Sequence, residues 1–178
     1  MSDLIALLER IEEKSSVLYQ NLPDIDLYMD QVIAYLPRQN VSEQSGETLT
    51  AAMVNNYIKD GVLPRAVDKK YNRDHLAYLI MISRLKQVLS VKDTALLLNE
   101  ETKSTPVCDY FDQFQATLKE LAQNLSFSSL DEENLPDLAV RLALTGYINR
   151  LACEAVLSKI KESLPPQEEP KKAPKDAK

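Results

Sequence analysis

The chain has 178 residues with a net charge of −6, and only three glycines beside nine prolines. That length holds one compact core with additions rather than two large domains. So few glycines argue against a sheet protein with many tight turns, whereas Leu, Ala, Lys, Glu and Gln, which lose little rotamer freedom in a helix, are abundant. The expected fold class is all-α, or mainly α, with at most a tiny β wing. No apolar run nears the roughly 20 residues of a membrane span, and "MSDLIALLERIEEK" meets charge too early for a signal peptide. A cytoplasmic protein with no membrane partner is expected.

In chain order, residues 2–20 carry Leu4, Ile5, Leu7, Leu8, Ile11, Val17 and Leu18 at helical spacing, which predicts an amphipathic helix. Pro23 and Asp24 restart the chain into a second helix, about 24–36, burying Ile25, Tyr28, Met29, Val32, Ile33 and Leu36, which Pro37 ends. "RQNVSEQSGE" then reads as a connecting loop. Thr48 is a candidate N-cap for a third helix, in which Leu49, Met53, Val54, Tyr57 and Ile58 share the inward face and Asn55, Asn56 and Lys59 point out. Gly61 suits the left-handed residue that closes such a helix, and Pro64 marks the exit.

"RAVDKKYN" is long enough only for a small hairpin or wing. Asn72 then caps a helix over about 73–88, "RDHLAYLIMISRLKQV", which is apolar around most of its circumference and so belongs in the middle of a core. Ser90 and Asp93 resemble a capping box and open a short helix to about Leu98. After "NEETKSTP", read as a polar loop, residues 107–124 carry Tyr110, Phe111, Phe114, Leu118 and Leu121 on one stripe. A last helix runs from about Asn134 to Ser163, some 40 Å long at about 1.5 Å per residue. "PPQEEPKKAPKDAK" cannot bury a core and is expected to be disordered. The organisation predicted is an N-terminal helix (1–23), a central domain (24–99), a C-terminal helical dimerisation or regulatory region (100–164) and a tail (165–178).

Charge is segregated along this order. Residues 1–47 carry a net −6 and residues 100–164 a net −5, but residues 48–99 hold eight basic groups (Lys59, Arg65, Lys69, Lys70, Arg73, Arg84, Lys86 and Lys92) against four acidic ones. A basic island in an acidic chain is the electrostatic footprint expected for an anionic partner, since local charge sets the potential a phosphate meets.

Catalytic chemistry has little support. Cys108 and Cys153 have no neighbouring Cys or His and are expected to be buried thiols. His75, the sole histidine, stands in the first turn of a helix beside Asp74, and Asp131, Glu132 and Glu133 suit a helix N-terminus without any metal. No phosphate loop, GxSxG or HExxH occurs. No enzyme, cofactor or metal is expected.

Two helices joined by a turn, a short basic wing, a buried helix and a short fifth one follow the order of a winged helix-turn-helix. Within it, "MVNNYIKDGVLP" followed by "KKYNRDHLAYLIMISRLKQVLSVKDTALLL" resembles the DNA-binding domain of the MerR family. Tyr57, Gly61, Val62 and Leu63 fall on the aromatic and Gly-Leu-Leu end of its recognition helix, Lys69 and Tyr71 on its Arg-x-Tyr wing, and Leu76, Leu79, Ile82 and Leu85 on the helix behind. Residues 25–99 are more closely similar to a bacterial family of MerR-like proteins, mostly from Gram-positive organisms, known as a domain of unknown function.

The resemblance implies a winged helix-turn-helix of MerR type, with an N-terminal helix and a C-terminal helical extension, that binds double-stranded DNA as a homodimer and regulates transcription. Two departures stand out. Asn55 and Asn56 replace an arginine and a tyrosine; asparagine can pair bidentately with an adenine edge, a contact worth roughly 1–3 kcal/mol of discrimination. Lys69 replaces the wing arginine, which keeps the charge and loses the planar fork.

The DNA-binding set expected is therefore Asn55, Asn56, Lys59, Arg65, Lys69, Lys70, Tyr71 and Arg73, with Leu144, Tyr147, Ile148, Leu151 and Ala155 as the dimer interface. No effector site is recognisable, although Tyr110, Phe111, Phe114 and Tyr147 would line one among the C-terminal helices. The alternative is a protein-interaction module on the same scaffold that no longer binds DNA, favoured by the acidic flanks and the missing arginines.

Overall fold

The computed structural model of the chain describes residues 2–39, 49–124 and 135–164. Among them the fold is mainly α: helices α1 (Ser2–Ser15), α2 (Met29–Tyr35), α3 (Ala51–Lys59), α4 (Arg73–Leu85), α5 (Val91–Ser104), α6 (Val107–Asn124) and α7 (Leu135–Ser163). Short 3-10 turns cover Tyr19–Asn21 and Leu36–Gln39, and strands β1 (Leu27–Tyr28) and β2 (Lys70–Tyr71) make a two-stranded antiparallel sheet. The chain divides into two compact units, residues 1–132 and 133–178, and α7 is the helix described in the second.

In the first unit α4 is the centre. Eight consecutive residues, His75 to Ile82, are buried, and Leu76 to Ile82 pack in one cluster with Val32 and Leu36 from the α2 end, Val54 and Tyr57 of α3, Val62 and Leu63 after it, Leu98 of α5 and Phe111 of α6. Each fully buried Leu, Ile or Phe contributes roughly 1.5–3 kcal/mol by leaving water. Asn72 starts the helix: its Oδ1 accepts the His75 backbone N–H at 3.2 Å. At the other end, the Arg84 guanidinium is largely buried and donates to Gln115 Oε1 and to the carbonyls of Lys14 (3.3 Å) and Gln39 (3.5 Å). Gln115 Nε2 in turn donates to the Lys14 and Val17 carbonyls. One Arg–Gln pair thus satisfies the carbonyl ends of α1 and of the Leu36–Gln39 turn and ties both to α4 and α6. Burial without a carboxylate partner among the described residues lowers the Arg84 guanidinium to about 10.

Several expectations shift. α2 begins at Met29, not near 24, because Leu27 and Tyr28 pair as a strand and Gln31 Oε1 accepts the Tyr28 N–H at 2.8 Å. Ile25 and Tyr28 are consequently exposed rather than core. The α3 cap is Thr50, whose Oγ1 accepts the Met53 N–H at 3.2 Å; Thr48 lies outside the described residues. α4 ends at Leu85, three residues early. Ser90 caps α5 as expected, but that helix continues through "NEETKS" to Ser104: Tyr78 donates to Thr102 Oγ1 at 3.0 Å, Lys103 pairs with Glu100, and Pro106 then forbids continuation. Cys108 and Cys153 are free and half-buried, not buried. Residues 40–47 of the expected loop and the tail 165–178 lie outside the described residues.

Candidate nucleic-acid interface

The α3 face read as inward is inward: Val54 and Tyr57 are buried, with Leu49, Met53 and Ile58 packed against the core, while Asn55, Asn56 and Lys59 are exposed. α3 closes through two crossed backbone bonds, Val62 N–H to Tyr57 carbonyl (2.9 Å) and Gly61 N–H to Ile58 carbonyl (3.2 Å), with Gly61 at φ 71°. This Schellman closure demands a residue at positive φ, which glycine takes without strain. Asn99 Nδ2 of α5 donates to the Gly61 carbonyl at 3.2 Å and holds the turn from outside.

After Pro64 the chain makes a tight hairpin. Val67 and Lys70 exchange backbone bonds of 3.2 and 2.8 Å, and the two residues between, Asp68 (φ 50°) and Lys69 (φ 63°), are both left-handed. That is the two-residue primed turn whose twist matches paired strands, usually made by Asn-Gly or Asp-Gly. Here a lysine occupies the second position, where a non-glycine costs roughly 1–2 kcal/mol.

β2 pairs antiparallel with β1, Leu27 opposite Tyr71 and Tyr28 opposite Lys70. Leu27 and Tyr71 are buried, so the alternate residues Tyr28, Lys70 and Val67 form an outward row. The Lys70 ammonium lies 5.7 Å from the centroid of the Tyr28 ring. Tyr28 and Val67 were not legible as a surface feature: a two-residue strand has too few positions for a period-2 pattern.

Between α3 and the hairpin runs an open groove of about 470 Å³, with Asn55 and Ile58 on the α3 wall, Arg65, Ala66, Lys69 and Tyr71 on the hairpin wall, and Met29 of α2 alongside. Two cations and no carboxylate line it. Among the described residues no ion pair engages either cation. Tyr71 is pinned by the edge of the His75 ring, centroids 5.5 Å apart at 83°, and burial raises its hydroxyl pKa. The other edge of His75 supports the site: Nε2 lies 3.3 Å from the Arg65 carbonyl, and Nδ1 lies 3.2 Å from the Asn72 backbone N. Nδ1 also lies 2.5 Å from Asn72 Oδ1, so the ring bridges the segment carrying Arg65 and the N-cap of α4.

The remaining predicted residues are distributed. Asn56 and Lys59 are exposed on α3 outside the groove, and Lys70 is on the outward row. Arg73 is half-buried, its guanidinium 5.5 Å from the Tyr19 ring centroid and its Nε 3.4 Å from the Pro23 carbonyl. Tyr19 itself donates to Asp74 at 2.6 Å, and burial followed by that bond raises its pKa. Arg73 therefore serves first as a clamp on residues 19–23. Arg84, counted in the basic island, adds nothing to the surface because it is committed to Gln115.

On α7, Leu144, Tyr147, Ile148, Leu151 and Ala155 are all exposed. Phe111 is fully buried, and Tyr110 and Phe114 pack on the same core, so that aromatic stripe is structural. No helix among the described residues is long and apolar enough to cross a membrane, and none of their His, Cys, Asp and Glu side chains cluster as a metal site.

No curated protein and no solved structure matches the chain. A protein family does: residues 17–126, from the Tyr19 clamp through α6 and including the whole groove, match the domain of unknown function DUF1836, and the chain belongs to that family.

Proposed function

We propose that this protein is a DNA-binding transcription regulator, acting in the cytoplasm, that reads duplex DNA with α3 while the 67–70 hairpin holds the phosphate backbone. The observation that carries the reading is the convergence of exposed Asn55, Arg65 and Lys69 on one groove, with Asn56 and Lys59 on the adjoining outer face of α3. The resemblance of residues 53–98 to the MerR DNA-binding domain supports it, and so does the pairing of β2 with β1, which braces the hairpin as a wing. Four or five phosphate contacts give a slope of log K on log salt of roughly −4. Such a weak monomer gains from twofold symmetry, and half-sites about 34 Å apart suit a dimer. We propose Leu144, Tyr147, Ile148, Leu151 and Ala155 of α7 as the dimer face.

The test is fluorescence anisotropy with a mixed-sequence duplex at about 50 and 200 mM salt. The wild type is expected to bind with that salt dependence, and Lys69→Ala/Lys70→Ala to bind more weakly with a slope flatter by about two. Folded protein that leaves the duplex free at low salt overturns the phosphate-holding wing. A specific observation favours a second reading: Tyr28 (52 % exposed) and Val67 (72 %) put apolar surface beside Lys70, which suits a protein-interaction module better than a phosphate backbone.

A further inference from the structure

We infer that the groove between α3 and the hairpin is a sequence-independent clamp for one sugar–phosphate strand, and that the two asparagines of α3 divide the work: Asn55 belongs to the clamp and Asn56 reads a base. This rests on the DNA reading above and goes beyond it. By sequence Asn55 and Asn56 are equivalent, adjacent and polar on one exposed face. In the fold they part: Asn55 lines the groove with Arg65 and Lys69, and Asn56 stands outside it on the exposed surface of α3.

The groove's lining suits a nucleic-acid backbone in both its parts. Arg65 and Lys69 are on the same wall with no carboxylate among the lining residues, so a phosphate entering there meets two cations without a competing anion. The carboxamide of Asn55 on the opposite wall offers an N–H donor to a phosphate or sugar oxygen, the kind of contact that fixes register but carries no sequence information. Met29, Ile58 and Ala66 supply apolar surface, which matches the carbon face of a deoxyribose and would leave a free inorganic phosphate half unsupported. The cation wall is braced: the His75 ring packs against it, with Nε2 3.3 Å from the Arg65 carbonyl, and Lys69 sits in a turn fixed by two backbone bonds and by positive φ at both central residues. An acidic peptide shares the charge but lacks the evenly spaced sugar, and is the competing occupant.

The experiment fills the groove without touching its charge. Ala66→Phe and, as a milder second filler, Ala66→Leu are compared with Asn55→Ala, Asn56→Ala and wild type, each shown to be folded by its thermal transition. The probes are a mixed-sequence 20-base-pair duplex, a polyglutamate chain, and duplexes selected by the wild type from a random pool. The fillers are expected to weaken mixed-sequence binding at least tenfold and to flatten the salt slope by about two, the share of Arg65 and Lys69. Asn55→Ala is expected to weaken all duplexes by one factor, and Asn56→Ala to leave mixed-sequence binding within about twofold while erasing the preference for the selected duplexes. Folded fillers that bind the duplex as tightly as wild type, or equal losses of preference in the two asparagine variants, overturn the clamp while the DNA reading stands. Polyglutamate displacing the duplex at equal charge concentration also overturns the clamp, in favour of an acidic protein partner. A wild type that binds no duplex at all defeats the underlying reading, and the clamp with it.

Discussion

α4 and α7 both carry apolar residues around much of their circumference, and they end in opposite situations. α4 holds eight consecutive buried residues, with partners on every side and a bonded anchor at each end. On α7, Val140, Leu144, Tyr147, Ile148, Leu151 and Val156 are between 42 and 62 % exposed. The difference is one of neighbours rather than composition. Apolar spacing says that a helix face will be covered, while the surrounding chain decides whether the cover comes from within. α4 is covered from within, and that fixes the groove, because α4 carries His75 and Asn72 at the end nearest the hairpin. Under the dimer proposed above, a second copy is what covers this face of α7.

The comparison breaks most easily by paired truncation. Leu79→Ala in α4 removes a side chain that is 1 % exposed and is expected to cost about 2–5 kcal/mol, the transfer term plus the cavity left in a packed centre. Leu144→Ala in α7 is expected to cost under about 0.5 kcal/mol in dilute protein, and to lower the apparent stability further only where the protein self-associates. Urea unfolding at two protein concentrations reads both. A large cost for Leu144→Ala that ignores concentration would mean that α7 is covered within one chain.

A second substitution tests how far the fold leans on the polar end of α4. Gln115→Leu takes the acceptor from Arg84, whose Nε already has no partner, strips the donor from the Val17 carbonyl and leaves the Lys14 carbonyl only its bond from Arg84. It is expected to cost about 2–4 kcal/mol, because a buried cation and two carbonyls lose partners together. Arg84→Met/Gln115→Leu is expected to be more stable than Gln115→Leu alone, since an apolar replacement removes the stranded charge. If the double variant is the weaker, Arg84 acts through contacts other than Gln115.

How much of this was legible follows from the same physics. α4 as core, the closure of α3 at Gly61, the caps Asn72 and Ser90, and the outward face of Asn55, Asn56 and Lys59 all rest on local periodicity or on residues with one strong conformational use. Hidden were the features made by pairing distant segments. Leu27 and Tyr28 become a strand only because Lys70 and Tyr71 arrive beside them, which exposed Ile25 and Tyr28 against expectation. Arg73 and Arg84 look alike in a charge tally, yet Tyr19 and Pro23 engage one and Gln115 the other. The polarity of "NEETKS" suggests a loop, although Glu and Lys are good helix formers on an exposed face; the half-buried bond between Tyr78 and Thr102 belongs to the extension of α5 and is invisible in local sequence. Of the groove, its charges were visible, and its walls were not.

A small effect on stability is the most informative about function. Lys69 adopts a left-handed backbone at φ 63° in a position that glycine fills without strain, so Lys69→Gly relieves roughly 1–2 kcal/mol. Against this, glycine widens the unfolded ensemble by about 0.4–1 kcal/mol. The net expectation is a gain of about 0.8 kcal/mol, read as a small rise in the thermal midpoint. Lys69→Ala keeps the strain and loses the same charge, so it separates the backbone effect from the ammonium. If DNA binding weakens equally in both variants while only the glycine variant gains stability, the strained lysine is retained for its charge at the groove, a local cost held in place by the rigid neighbours that α4 provides. If the glycine variant gains nothing, the turn is not strained in solution and Lys69 is an ordinary surface residue, which would leave Arg65 as the groove's principal cation.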